Sequence, residues 1–145
     1  MTATNHALTG AAIATLVRQP LLAIPLAFLS HFVCDSLPHF KLEITFGSKA
    51  MWRYLYVEAT IMIVLATTLL LLGTRQSVWI LIVCALVAMS PDIAWYFYGK
   101  SGRQGKPEQF DFLNKFHYKI QWSETKLGIV PELFWAGCMV TIILQ

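Results

Sequence analysis

Two apolar runs, each long enough to cross a bilayer and joined by only four residues, constrain this chain more than any other feature. The first extends from about Met51 to Gly73 and includes the charge-free stretch Ile61–Leu72; the second extends from about Val78 to Tyr98. At about 1.5 Å per helical residue, each covers a hydrocarbon core about 30 Å thick. The Thr74–Arg75–Gln76–Ser77 turn between them makes an antiparallel pair. Composition agrees: 57% of the 145 residues are apolar and 13% charged, against about 45–50% and about 25% in soluble domains. Residues 1–145 therefore read as one all-α domain, a polytopic membrane helix bundle.

The other elements are shorter. A third apolar run, Leu127 to Leu144, closes the chain. His6 to Val17 is apolar but nearer half a bilayer in length, and Ala7, Ala11 and Thr15 give it a small-residue face suited to close packing. Arg18–Gln19–Pro20 breaks it, and Leu21 to Leu37 forms the next helix, with Pro25 near its start. Four to five transmembrane helices result, depending on whether the first one spans. The Pro38–Ala50 loop has room for an extended piece at Leu42–Phe46. In the longer Gly99–Lys126 connection, the aromatic-rich Phe110–Trp122 half reads as an amphipathic interfacial loop or helix.

Other classes fall away. A net charge of +3 without an arginine-rich run gives no reason to expect nucleic acid as a partner. Cys34, Cys84 and Cys138 lie inside apolar runs, as small core residues rather than a disulfide framework. No positive charge precedes Arg18, so the first segment does not read as a cleaved signal.

Five crossings sort the charges. Lys41, Lys49, Arg53, Lys100, Arg103, Lys106, Lys115, Lys119 and Lys126 fall on one side, and only Arg18 and Arg75 on the other. By the positive-inside rule the first side is expected to be cytoplasmic. His6, His31, Asp35, His39, Glu58, Asp92, His117 and Glu132 all fall in that same half. An intramembrane charge costs about 2.5–3.5 kcal/mol on insertion scales. Asp35, Glu58, Asp92 and Glu132 have no lysine or arginine at their depth, so a bound cation is the simplest compensation; neutral or mutually paired acids are the alternative.

His31 and Asp35 stand four apart, on one helix face, and can share a metal. Pro38 ends that helix, and His39 is expected to fold back towards the same site. Pro91 frees a carbonyl one turn earlier, Ser90 is suited to cap a restarted helix, and Asp92 is thereby aimed into the bundle. Thr4 or Asn5 reads as the cap of the first helix, with His6 in its first turn. Imidazoles and carboxylates suit a divalent ion such as zinc. The expected ligands are His6, His31, Asp35, His39, Asp92 and His117; the expected acid–base residues are Glu58, Glu132 and His117, with Gln121 orienting a ligand.

The string His31-Phe32-Val33-Cys34-Asp35, with Pro38-His39 after it, resembles the HFxGDxxxPxH signature of zinc-dependent phospholipase C and single-strand-specific nucleases. In those enzymes the histidines and aspartate bind a zinc cluster. Here the Asp-to-His spacing is shorter, and His6 stands where those enzymes have an N-terminal tryptophan ligand. Most of the chain is also similar to bacterial membrane-bound proteins identified as predicted metal-dependent hydrolases. Thr4–Gly10, Ser30–Phe40, Met89–Ile93 and Phe116–Gln121 with Glu132 carry that likeness. It implies an inner-membrane protein with its metal site on the cytoplasmic side, hydrolysing a phosphoester or related bond of a lipid or lipid-linked substrate. Two rivals fit the same residues: a non-catalytic protein that binds or carries metal, and an interaction subunit whose acids recognise a partner helix.

Overall fold

The computed structural model describes all residues except 42–43, 75, 103–108 and 110, together with the side chains of 98 and 113. Arg75, Arg103 and Lys106 of the charge asymmetry, and part of the expected Leu42–Phe46 extended piece, lie outside the described residues. Helices dominate: α1 (Ala3–Leu16), α2 (Pro20–Ser36), α3 (Lys49–Leu72), α4 (Val78–Met89), α5 (Ile93–Lys100), α6 (Phe112–Ile120) and α7 (Ile129–Ile143). Among the described residues, three stretches are long and apolar enough to cross a membrane: Lys49–Leu72, Val78–Phe97 and Lys126–Ile143.

Local chemistry sets the ends. Pro20 opens α2, where its missing N–H is no loss. Leu37 is extended because Pro38 follows it, and α2 stops there. Ser48 Oγ accepts from Met51 N at 3.2 Å to start α3, and Gly73, at φ 83°, ends it. Between α4 and α5 the chain tightens into a 3-10 turn, Ser90–Asp92. Pro91 cannot donate to Val87 O, and the Ser90 hydroxyl donates to that carbonyl instead, at 2.8 Å. Ser90 thus does not cap the restarted helix, whose cap position is Asp92; it closes α4, with its backbone N–H also on Val87 O.

The shortest apolar segment turns out to be the centre. Helix α1 packs against α4, α2 and α7, and to a lesser extent α3. Small residues make this possible: Ala14, Ala23, Ala27, Leu81, Cys84 and Ala88 form one cluster. Leu8, Ala12, Leu69, Met139 and Ile143 form a second, joining α1, α3 and α7. The close approach is at Gly10, where a Cβ would lie 2.2 Å from Cys84 O. The expected Ala7, Ala11 and Thr15 face is half-buried: Ala11 packs on both clusters, and Ala7 and Ala11 also line a cavity. Helix α3 buries just Glu58 and Leu69 along its length. Leu71 (83% exposed) and Trp79 (77%) typify a surface that lipid, not water, is suited to cover.

The cysteines are free. A two-residue parallel bridge, His39–Phe40 (β1) with Glu124–Thr125 (β2), ties the α2–α3 loop to the entrance of α7. Gly128 lies against it, where a Cβ would meet His39 O at 2.0 Å.

Candidate metal centre

His31 is fully buried on α2, and its Nδ1 lies 2.8 Å from Ala88 O. A carbonyl only accepts, so Nδ1 carries the proton and the Nε2 lone pair faces inward. There it lies 3.3 Å from Asp35 Oδ2, 3.0 Å from His117 Nε2 and 3.6 Å from Asp92 Oδ1. His117 Nε2 is in turn 2.5 Å from Asp35 Oδ2. One ligand atom from each of His31, Asp35, Asp92 and His117 can be chosen so that all lie within 4.8 Å of one another.

Three separate elements deliver these groups. The i,i+4 spacing on α2 places His31 above Asp35. The 3-10 turn at Pro91 presents Asp92. Helix α6 brings His117, started by Asp111, whose Oδ1 accepts from Asn114 N at 2.9 Å. Phe32 holds it there, with ring centroids 5.6 Å from His117 and 5.8 Å from Phe116. Gln121, one turn beyond His117, donates from Nε2 to Asp35 Oδ2 at 3.1 Å.

His6 completes the group. Its ring stacks on His31 with centroids 4.0 Å apart. Nε2 comes within 3.1 Å of Asp35 Oδ1 but is not aligned as a hydrogen bond, and neither ring nitrogen has a hydrogen-bond partner among the described residues. The ring is wholly buried. A buried polar group left unpaired costs about 1–3 kcal/mol, and two such nitrogens on one imidazole suit a ligand. The chain's first ammonium group, on Met1, also touches Asp35 Oδ1. Asp92 is the open edge, with 36% of its side chain exposed.

Three expected site residues go elsewhere. His39 does not fold back: its Nδ1 donates to Leu37 O at 2.7 Å and its Nε2 faces Glu124 at 3.5 Å. Pro38 makes the chain leave α2 extended, and pairing with β2 carries His39 away from Asp35. Burial raises the Glu124 carboxyl, but His39 and Lys41, the latter at 2.7 Å, more than offset it and hold that carboxyl below its ordinary range. Glu132 is saturated by neutral donors: Thr2 Oγ1 at 2.6 Å, Asn5 Nδ2 at 2.9 Å, Phe40 N at 3.0 Å and Thr2 N at 3.2 Å. Glu58 Oε2 accepts from Thr4 Oγ1 at 2.8 Å and Thr4 N at 3.0 Å. Both acids anchor the start of α1 rather than joining the His/Asp group. Thr4 and Asn5 are therefore not its caps; the cap position is Thr2, which makes no side-chain cap bond.

Sequence reasoning missed the donor role of Thr2, Thr4 and Asn5. The available signal was a cluster of small polar residues in an apolar N-terminus, in a chain with two glutamates inside long apolar helices needing donors. No family model, curated protein or solved structure matches this chain. Any functional reading must therefore start from the geometry.

Proposed function

We propose that the chain is a metal-dependent hydrolase embedded in a bacterial inner membrane, with four to five spanning helices and its centre towards the cytoplasmic face. The observation that carries this is His6, fully buried and unpaired at both ring nitrogens while stacked beside His31 and Asp35. A divalent cation would engage its lone pair, and would also separate the inward-facing nitrogens of His31 and His117. His31, Asp35, Asp92 and His117, joined by His6, are the residues that would hold it. Imidazole with carboxylate favours zinc among common ions.

Such an ion supplies Lewis acidity and lowers the pKa of water towards about 7. The protein contributes position. Ala88 O fixes the His31 tautomer, Gln121 and His117 orient Asp35, and Asp92 keeps one edge open to solvent. Catalysis rather than a purely structural role would require a position left to water or substrate, and the part-exposed Asp92 is the ligand that either could displace. The surrounding apolar surface favours a lipid phosphoester or a related lipid-linked bond as substrate. With Glu132 saturated and Glu58 bound to Thr4, Asp92 is the carboxylate best disposed to pass a proton to bulk water.

A second reading follows from the Met1 contact: the ammonium group itself neutralises Asp35, and the cluster is a structural ion pair without metal. Elemental analysis of purified protein separates the two. We expect divalent metal in the parent chain and its loss in His31→Ala and Asp92→Ala. Undiminished metal in both variants removes the site, and a metal-free parent favours the ion pair. Turnover of phospholipids and phosphomonoesters by the metal-loaded protein then tests hydrolysis.

A further inference from the structure

A cavity of about 300 Å³ lies between α1, α3, α4 and α7, with walls that are almost wholly apolar. Ala7 and Ala11 on α1, Ala66 on α3 and Ala85 on α4 leave the space open by their small size. One end is at Thr74 and Val78, beside the α3–α4 turn. The other end is at Thr4 and Met89. Thr4 is two residues from His6, and Met89 is three before Asp92, so this end lies at about the same depth as the His/Asp cluster, with Thr4 and His6 on opposite sides of α1.

Size identifies the occupant. Val78 to Met89 is roughly 16 Å along a helix, about half of a hydrocarbon core about 30 Å thick. That is the depth one lipid chain covers. A partner helix, about 10–12 Å across with its side chains, does not fit a space of about 300 Å³. Water has nothing to bond to along these walls. The adjoining α3 is largely exposed and flanks the opening, so a chain can enter sideways from the bilayer.

We propose that this slot binds a single acyl chain of a membrane lipid, holding the lipid with its polar end at the His/Asp cluster. The slot's role in catalysis rests on the hydrolase reading above; its occupation by lipid does not. Ala7, which joins neither core cluster, then has a use that helix packing leaves unexplained, whereas Ala11 serves both packing and slot. The slot also makes chain length a specificity determinant, as its far end is bounded by the α3–α4 turn.

The test uses the full chain in vesicles containing a phosphatidylglycerol with a photoactivatable diazirine midway along one acyl chain. Labelled positions are mapped by mass spectrometry. Labelling is expected to concentrate on Met62, Ala66, Ala85 and Met89, and to be lost in Ala85→Leu, which fills the slot from α4. Ala66→Leu fills it from the exposed α3 wall and guards against misfolding of the first variant. Metal content is measured in the same samples. Metal retained while slot labelling is lost supports the proposal and leaves the centre intact. Labelling spread evenly over outward residues such as Leu71 and Trp79, and unchanged in both variants, overturns it. So does crosslinking chiefly to a second polypeptide. A parent chain that labels in the slot but holds no metal overturns the hydrolase reading alone.

Discussion

Two buried polar groups sit a few residues apart along α1 and solve the same problem in opposite ways. Around Glu132, Thr2, Asn5 and Phe40 supply neutral N–H and O–H donors, so every buried charge meets a proton. Around Asp35, three imidazoles converge: His31 spends its one N–H on Ala88 O, and His6, with Nε2 3.1 Å from Asp35 Oδ1, has no hydrogen-bond partner among the described residues. The first group is closed and needs nothing from outside. The second directs the protons of Met1, His117 and Gln121 to Asp35, leaves both nitrogens of the buried His6 without a hydrogen-bond partner among the described residues, and has one edge open at Asp92. Equal burial therefore says little about role; the balance of donors and acceptors says much more.

The sharpest way to break this contrast is to remove each anchor in turn. Glu132→Ala strands several buried donors at about 1–3 kcal/mol each, so a loss on the order of 3 kcal/mol or more is expected. Metal binding by the fraction that stays folded should be unchanged. His31→Ala should do the reverse, abolishing metal while lowering the stability of the metal-free protein less. Denaturation in mild detergent, read beside elemental analysis, checks both. Loss of metal in both variants would merge the two regions into one.

Gly10→Ala attacks the helix that carries both groups. Its Cβ would meet Cys84 O at 2.2 Å, and overpacking of this kind costs about 1–3 kcal/mol. Because Asn5 and His6 share α1, thermal stability and metal affinity should fall together. A variant that loses only one would show that the two regions are positioned independently.

His6→Leu separates them by sign. Removing an unpaired buried imidazole should leave the metal-free protein as stable as the parent, or more stable by about 1 kcal/mol. Metal affinity should fall by at least the roughly 10–100-fold seen when even a group that merely supports a ligand is lost. Competition with a chelating dye measures the affinity, and urea unfolding the stability. Reduced stability with unchanged affinity would make His6 a packing residue.

The sequence made some of this legible and hid the rest for identifiable reasons. The three long apolar helices were plain, because each carries its own evidence of length and charge. The i,i+4 spacing exposed His31 with Asp35, and the Ser90-Pro91-Asp92 step pointed inward. His39 misled, since Pro38 was read as a hinge, whereas it feeds a strand whose partner lies 85 residues on at Glu124. Glu58 and Glu132 misled because an intramembrane acid looks catalytic until its donors are known, and those donors are the first residues of another helix. The small-residue face of the half-length α1 pointed to close packing, but not to its place among α2, α4 and α7, which depends on residues of those helices.

The His39 displacement supports the last and smallest prediction. Burial disfavours the charged Glu124, but His39 and Lys41 outweigh that and keep its folded pKa below the unfolded value, which is about 4.3. A depressed carboxylate contributes stability above its unfolded pKa and loses it as pH falls through the folded one. The β1–β2 tie should therefore weaken below about pH 4.3, and Glu124→Gln should remove that part of the acid sensitivity. Lys41 is 49% exposed, so solvent screening limits the effect to within about 1 kcal/mol. Thermal unfolding of parent and variant at neutral and acid pH measures it. An identical acid response in both would mean that backbone pairing and the Gly128 contact hold the tie without the carboxylate. It would also leave His39 with no electrostatic reason to be drawn away from the cluster.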